Sequence, residues 1–264
     1  MAIALIGFMG AGKSAAGHVL AESLGETRAD ADDAMEDADG RSVAEIFEAE
    51  GEAGFRAIEE RLVLELLERG GVVALGGGAV ESERVREALR DHVAVWCDAD
   101  LDVAWERASG SEKRPLARDQ GEFERRFRER RPLYEAAARA VLPAMARDAA
   151  SSAAPWLAAL RGAPSVRLAW ASAASGEYPA VVGPGASGLL APAQAEARLP
   201  ERWFAVADRA VLGAHPELLP GSEATIEVAG GEGRRRSPRR SESSASWPAP
   251  GRAATTASSR WGAG

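Results

Sequence analysis

Along the first part of the chain, short continuous apolar runs alternate with stretches of helical periodicity. Residues 2–6, 72–75 and 93–97 are the apolar runs, each the length of a strand buried on both faces. Residues 13–24, 42–51, 54–69 and 82–89 carry the helical pattern, and Ser42 stands three residues before Glu45, a capping-box start. This βα alternation predicts an α/β fold with a central parallel sheet flanked by helices. Residues 156–160 read as a last short helix between small-residue stretches at 151–154 and 162–165, after which a linker is expected. On this reading the first domain, residues 1–162, closes on its own sheet before the linker.

A second, shorter βα pattern follows over residues 166–232, with strand candidates at 166–170, 178–182, 203–206 and 225–228. It predicts an incomplete α/β segment. Residues 234–264 contain no Leu, Ile, Val, Met or Phe and consist mostly of Arg, Ser, Ala, Pro and Gly. Such a composition buries too little apolar area to offset its ordering entropy, so residues 233–264 are expected to form a disordered tail.

Composition narrows the function classes. The net charge of −8 argues against a general binder of nucleic acid or of anionic membranes. No apolar stretch reaches the roughly 18 residues of a membrane span. The single cysteine, Cys97, excludes an intramolecular disulfide framework and fits a reducing compartment; it ends an apolar run and reads as a small buried hydrophobe. The start lacks a basic leader, and its first residues form a predicted strand, so the expectation is a cytoplasmic protein.

Candidate chemistry begins where the first strand ends. Gly7-Phe8-Met9-Gly10-Ala11-Gly12-Lys13-Ser14 is a phosphate loop between a strand and a helix, which makes it a nucleoside triphosphate site. Its glycines let backbone N–H groups converge on phosphate oxygens, and the following helix aims its free donors at the same anion. Only two lysines occur in the chain, against 32 Lys plus Arg, so a lysine at Lys13 suggests a need for a compact point charge. Ser14 is the expected Mg²⁺ ligand.

Asp30-Ala31-Asp32 falls where a second strand should end, and carboxylates spaced i, i+2 on a strand share a face. One can hold Mg²⁺ while the other orients an acceptor hydroxyl. Asp33, Glu36, Asp37 and Asp39 read as a solvated acidic loop. Arg56 lies in the first turn of a predicted helix, against the dipole, which points to an anionic ligand. Gly76-Gly77-Gly78 follows a strand, at the end of a parallel sheet where ligands approach the backbone.

In this order the elements resemble the shikimate kinase family. The resemblance rests on the phosphate loop, Asp30-Ala31-Asp32, the motif from Ser42 to Glu59, Gly76 to Ala79, Arg114-Pro115-Leu116 and Arg130-Arg131-Pro132-Leu133-Tyr134, and it covers residues 1 to about 160. It implies a phosphate-loop kinase that uses ATP and Mg²⁺ to phosphorylate the 3-hydroxyl of shikimate, acting as a monomer. It further implies that Gly10, Ala11, Gly12, Lys13, Ser14, Ala15, Arg107 and Arg114 bind ATP, Arg107 by stacking on adenine and Arg114 from a closing lid. Asp32, Arg56, Gly76, Gly77, Gly78 and Arg130 would bind shikimate, Ser14 and Asp30 would organise Mg²⁺, and Lys13, Asp32 and Arg114 would be catalytic. One departure is that the family's short basic adenine-contacting loop is not evident over residues 142–148.

Two alternatives stay open at this point. One is a kinase of another small carboxylated polyol such as gluconate, and the other is an inactive nucleotide-binding partner. The second segment resembles the opening of 3-dehydroquinate synthase, through Tyr178 to Gly185 and Ile226 to Gly233. That family needs zinc ligands and several lysines, whereas His215 is the only histidine beyond His92 and no lysine follows Lys113, so no competent synthase is expected. The tail beginning at Arg234 reads as a coding frame lost in a base-biased gene.

Overall fold

β1 (Ile3–Ile6) is buried along its whole length and runs parallel between β3 (Val72–Ala74) and β4 (Val93–Asp98). A strand paired on both edges and covered on both faces has no polar position to offer, which is why its sequence is apolar throughout. The computed structural model describes residues 1–109, 119–143, 147–173, 176–196, 202, 204–215 and 222–228. Arg114 and residues 233–264, with the expectations attached to them, lie outside the described residues. Two compact units are present, Met1–Ala197 and Arg198–Gly264.

In the first unit the strand order is β2-β3-β1-β4-β5-β6-β7, where β2 is Arg28–Asp30, β5 Ala140–Pro143, β6 Arg167–Ala173 and β7 Gly176–Val182. All neighbours are parallel except β6 and β7, which pair antiparallel. The helices are α1 (Lys13–Leu24), α2 (Ala31–Asp39), α3 (Val43–Arg69), α4 (Glu83–Ala88), α5 (Leu101–Ser109), α6 (Gln120–Ala137), α7 (Arg147–Leu160) and α8 (Leu190–Glu196). One apolar core joins the strands to α1, α3, α5, α6 and α7. Cys97 is buried in it, as expected, and burial pushes its thiol up to about 12.

Two local expectations need correction. Asp32 is on a helix rather than a strand: Asp30 ends β2 and caps α2, its Oδ1 accepting the Asp32 N–H at 3.1 Å. An Asx cap followed by Asp32 and Asp33 in the first turn is a helix start, and the acidic run expected as a loop continues it as α2. The two helices expected over 42–69 are present within the span α3, separated by the non-helical Gly51 (φ 67°, ψ 177°), and the Ser42–Glu45 capping box opens the first. Lastly, α7 starts at Arg147, because the Ala and Ser residues read as a break are acceptable helix formers.

The sheet does not stop at the expected boundary between residues 162 and 166. β6 pairs with β5 through Ala140↔Leu168 and Val141↔Ala169, and the Leu168 N–H donates to Arg139 O at 3.0 Å. The Arg139 guanidinium ties the turn after α7, with Nη2 donating to Leu160 O and Ala163 O, each at 2.7 Å. Val166, Leu168 and Trp170 are buried in the same core as β1. In the second unit, β8 (Phe204–Asp208) pairs parallel with β9 (Ala224–Val228), and α9 (Arg209–Ala214) follows β8. Phe204, Val206, Ile226 and Val228 are exposed there. Among the described residues no helix is long and apolar enough to cross a membrane.

Candidate active site at the carboxyl ends of the strands

The turn from β1 into α1 comes close to the backbone of β4 and of α5 at Gly7 and Gly10. Gly10 has φ 86°, and a Cβ there would collide with the carbonyl oxygen of Ala104 on α5, so only glycine fits both the turn and the approach. Phe8 anchors the loop, packing edge to face on Phe123 and Phe127 of α6 with ring centroids 4.9 and 5.2 Å away. Gly12 caps α1 in the left-handed region. Lys13 Nζ folds back to donate to Gly7 O at 2.8 Å and Phe8 O at 3.1 Å. Ala11 is buried, whereas Ser14 and Ala15 are exposed in the first turn of α1. A cation beside the N-terminus of a 12-residue helix gives this end of the sheet the positive potential that suits an anion. Arg107 of α5 borders the loop, its Nη1 lying 3.8 Å from where a Gly12 Cβ would be.

The glycine run after β3 is pressed from three sides. A Cβ on Gly76 would collide with Glu59 Oε1 and lie 3.5 Å from Asp32 Oδ1. One on Gly77 would be 3.2 Å from Met9 N in the phosphate loop, and one on Gly78 would enter the Arg56 guanidinium. The run therefore joins the phosphate loop, the α2 acid and the α3 arginine with no side chain between them. Tyr134 of α6 holds it in place by donating its hydroxyl to Gly77 O.

Arg56 and Arg130 converge at the Gly78 end. Arg56 Nη1 donates to Glu59 Oε2 at 2.5 Å, and Arg56 Nη2 lies 3.4 Å from Glu81 Oε2. The same Glu81 oxygen accepts from Arg130 Nη2 at 3.0 Å. Arg130 is fully buried, its guanidinium 5.8 Å from the centroid of the Phe8 ring, and its Nε has no acceptor among the described residues. Burial pushes the Glu59 carboxyl above the usual carboxylate range, partly opposed by Arg56. A cleft of about 710 Å³ opens here, lined by Arg56, Glu59, Gly78 and Glu81 among others.

The structure thus gathers Lys13, Asp32, Arg56, the three glycines and Arg130 around the carboxyl ends of β1 and β3, with Asp30 at the end of β2. Glu59, Glu81 and Tyr134 belong to the same constellation but had been given no role from the sequence. Glu59 carried a signal, an acid at i+3 from Arg56 on one helix. Glu81 carried none, since it meets Arg130 across 49 residues.

The family model described as "SKI: Shikimate kinase" matches residues 9–161. The chain belongs to the shikimate kinase family. It is 43% identical over 136 residues to the shikimate kinase of Corynebacterium efficiens, an alignment spanning 50% of this chain and 80% of that protein. To the shikimate kinase of Brucella suis it is 42% identical over 151 residues, 55% of this chain and 74% of that one. Among solved structures, the shikimate kinase from Acinetobacter baumannii in complex with shikimate aligns with TM-score 0.55 at 33% identity, covering 60% of this chain and 90% of that chain. The shikimate kinase from Aquifex aeolicus aligns with TM-score 0.55 at 30% identity, covering 62% and 99%. The family match ends before β6, so the hairpin of β6 and β7 lies outside it.

Proposed function

We propose that the chain transfers the γ-phosphoryl group of ATP to the 3-hydroxyl of shikimate, giving shikimate 3-phosphate for aromatic amino-acid (chorismate) biosynthesis in the cytoplasm. The observation that carries this is the glycine run. One side of it touches the phosphate loop and the other touches Arg56, with Asp32 beside Gly76, so an acceptor lying along it meets the phosphoryl group, a carboxylate and a guanidinium pair in turn. Arg56 and Arg130 suit a carboxylate because guanidinium forks match its geometry.

In the reaction the acceptor 3-hydroxyl oxygen attacks the γ-phosphorus in line, its bond to phosphorus forms as the bond to the β-bridging oxygen breaks, and Asp32 orients the hydroxyl and receives its proton. Lys13 leaves the Gly7 and Phe8 carbonyls for the transferring phosphoryl oxygens, and Arg114 adds charge from the lid. Lid closure around the acceptor excludes water. Arg107, next to Gly12, stacks on the adenine. The residues present suit Mg²⁺: the Ser14 hydroxyl in the first turn of α1 and the Asp30 carboxylate at the end of β2 are hard oxygen donors, and this ion takes most of its ligands from phosphate and water. When bound, it neutralises charge on the β- and γ-phosphates.

We further infer that residues 166–232 derive from a 3-dehydroquinate synthase start and carry no synthase activity. The reading rests on the sequence of the segment, in which His215 is the only histidine and no lysine occurs. A coupled kinase assay with shikimate and with gluconate tests the main assignment: ATP-dependent turnover of shikimate, lost on Arg130→Ala through a higher KM, is expected. Turnover of gluconate alone would replace shikimate as the acceptor, and no turnover of either would leave a nucleotide-binding protein.

A further inference from the structure

Three acids lie on the arginine pair, and they differ in how they are held; the exposed Glu52 reaches Arg56 alone of the two, at 3.8 Å. Glu59 is 3% exposed and wedged against Gly76, so it belongs to the packing. The Glu81 side chain is 42% exposed, at the last residue of the short turn Ala79–Glu81. Its main chain is fixed, the N–H donating to Gly78 O at 2.8 Å and the carbonyl accepting from Arg86 Nη1 at 2.8 Å. Among the described residues its carboxylate meets Arg56 and Arg130. A single oxygen, Oε2, spans both of them, at 3.0 Å from Arg130 Nη2 and 3.4 Å from Arg56 Nη2. Arg130, 2% exposed, therefore has one half of its fork on an anion, while Nε has no acceptor among the described residues. A buried guanidinium needs an anion at all times, yet this anion fits it only in part.

We propose that Glu81 is a built-in counter-carboxylate of the acceptor site, standing between Arg56 and Arg130 where the acceptor's own carboxylate goes and rotating out to solvent when the acceptor binds. This rests on the reading of Arg56 and Arg130 given under Proposed function. Binding then exchanges one carboxylate for another, so the arginines are never left bare and the charge they face stays balanced. The exchange sets selectivity, because a neutral polyol offers nothing to replace the ion pair it would have to break. It also lowers affinity for the true acceptor, since every binding event must first undo the Glu81 contacts.

The test uses the full chain as wild type, Glu81→Gln and Glu81→Ala, with shikimate and ADP titrated calorimetrically and shikimate kinetics measured at saturating ATP. Both variants keep the turn and remove the charge. The expected result is a shikimate Kd about three- to tenfold lower in both, with ADP affinity changed by less than about twofold and the gain appearing in KM rather than kcat. Unchanged or weaker shikimate binding in the variants overturns the inference and makes Glu81 a positioning residue for Arg130. A wild-type chain that neither binds nor phosphorylates shikimate overturns the acceptor reading and this inference with it, a result read on the wild type alone.

Discussion

Tyr134 reaches across 57 residues of sequence to donate its hydroxyl to the carbonyl of Gly77 at 2.5 Å. Phe123, Phe127, Arg130 and Tyr134 recur at spacings of three and four along α6, so one helix face meets Phe8 of the phosphate loop and the glycine run together. Tyr134→Phe keeps the stacking on Trp96 but leaves the Gly77 carbonyl without this donor. It is expected to lower unfolding free energy by about 1–3 kcal/mol in urea titrations and to raise KM for shikimate. An unchanged midpoint would mean that solvent replaces the hydroxyl.

Lys13→Ala is expected to reduce kcat by about two orders of magnitude or more, because a charge acting on the transferring phosphoryl group is lost in a site closed to water. Steady-state rates at saturating ATP and shikimate check it. A variant within a few-fold of wild type would remove Lys13 from the chemistry.

Stability should depend on pH through Glu59. Its carboxyl titrates higher in the folded chain than in the unfolded one, since burial disfavours the charged form. The folded state therefore binds the proton more tightly, and the stability this contributes is complete below the unfolded value near 4.5 and lost as pH rises through the raised folded value. Glu59→Gln cannot titrate, so the stability difference between that variant and wild type should shift in the variant's favour from about pH 4.5 upward. Parallel stability curves across that range would show that Glu59 titrates normally.

Cutting the chain after residue 162 is expected to destabilise it more than cutting after residue 196. The shorter fragment loses the partners of Ala140 and Val141 on β5 and the buried Val166, Leu168 and Trp170. A bare β5 edge and uncovered apolar side chains favour aggregation. Thermal melts and light scattering on both fragments decide it, and equal behaviour would make the β6 and β7 hairpin dispensable.

That last contrast marks where the sequence stops being legible. β1, the phosphate loop and α1 could be read because each depends on neighbours a few residues away: an apolar run, glycines at fixed offsets, a helical period. The capping box at Ser42 and Glu45 is equally local. Residues 166–170 were recognisable as a strand, but nothing in them says that Leu168 will pair with Ala140 of the preceding domain, because parallel partners are chosen by the whole sheet. Asp32 was assigned to the right neighbourhood on the wrong element, since its spacing from Asp30 suits a strand and its role in the first turn of α2 depends on the cap that Asp30 forms. Glu81 was invisible for the same reason as β6, its partners Arg56 and Arg130 being brought to it by α3 and α6.

The three glycines after β3 have a consequence for which acids the site can accept. With no side chain of its own to yield or swing, the glycine strip between Met9 and the Arg56 guanidinium is backbone throughout, and it is braced by Tyr134. On the proposed reading it would work as a ruler. On the proposed placement of the acceptor, an acid whose carboxylate and hydroxyl stand nearer together or further apart than this span is expected to satisfy the arginines or present its hydroxyl to the phosphoryl group, but not both at once, so discrimination would come from distance as much as from charge.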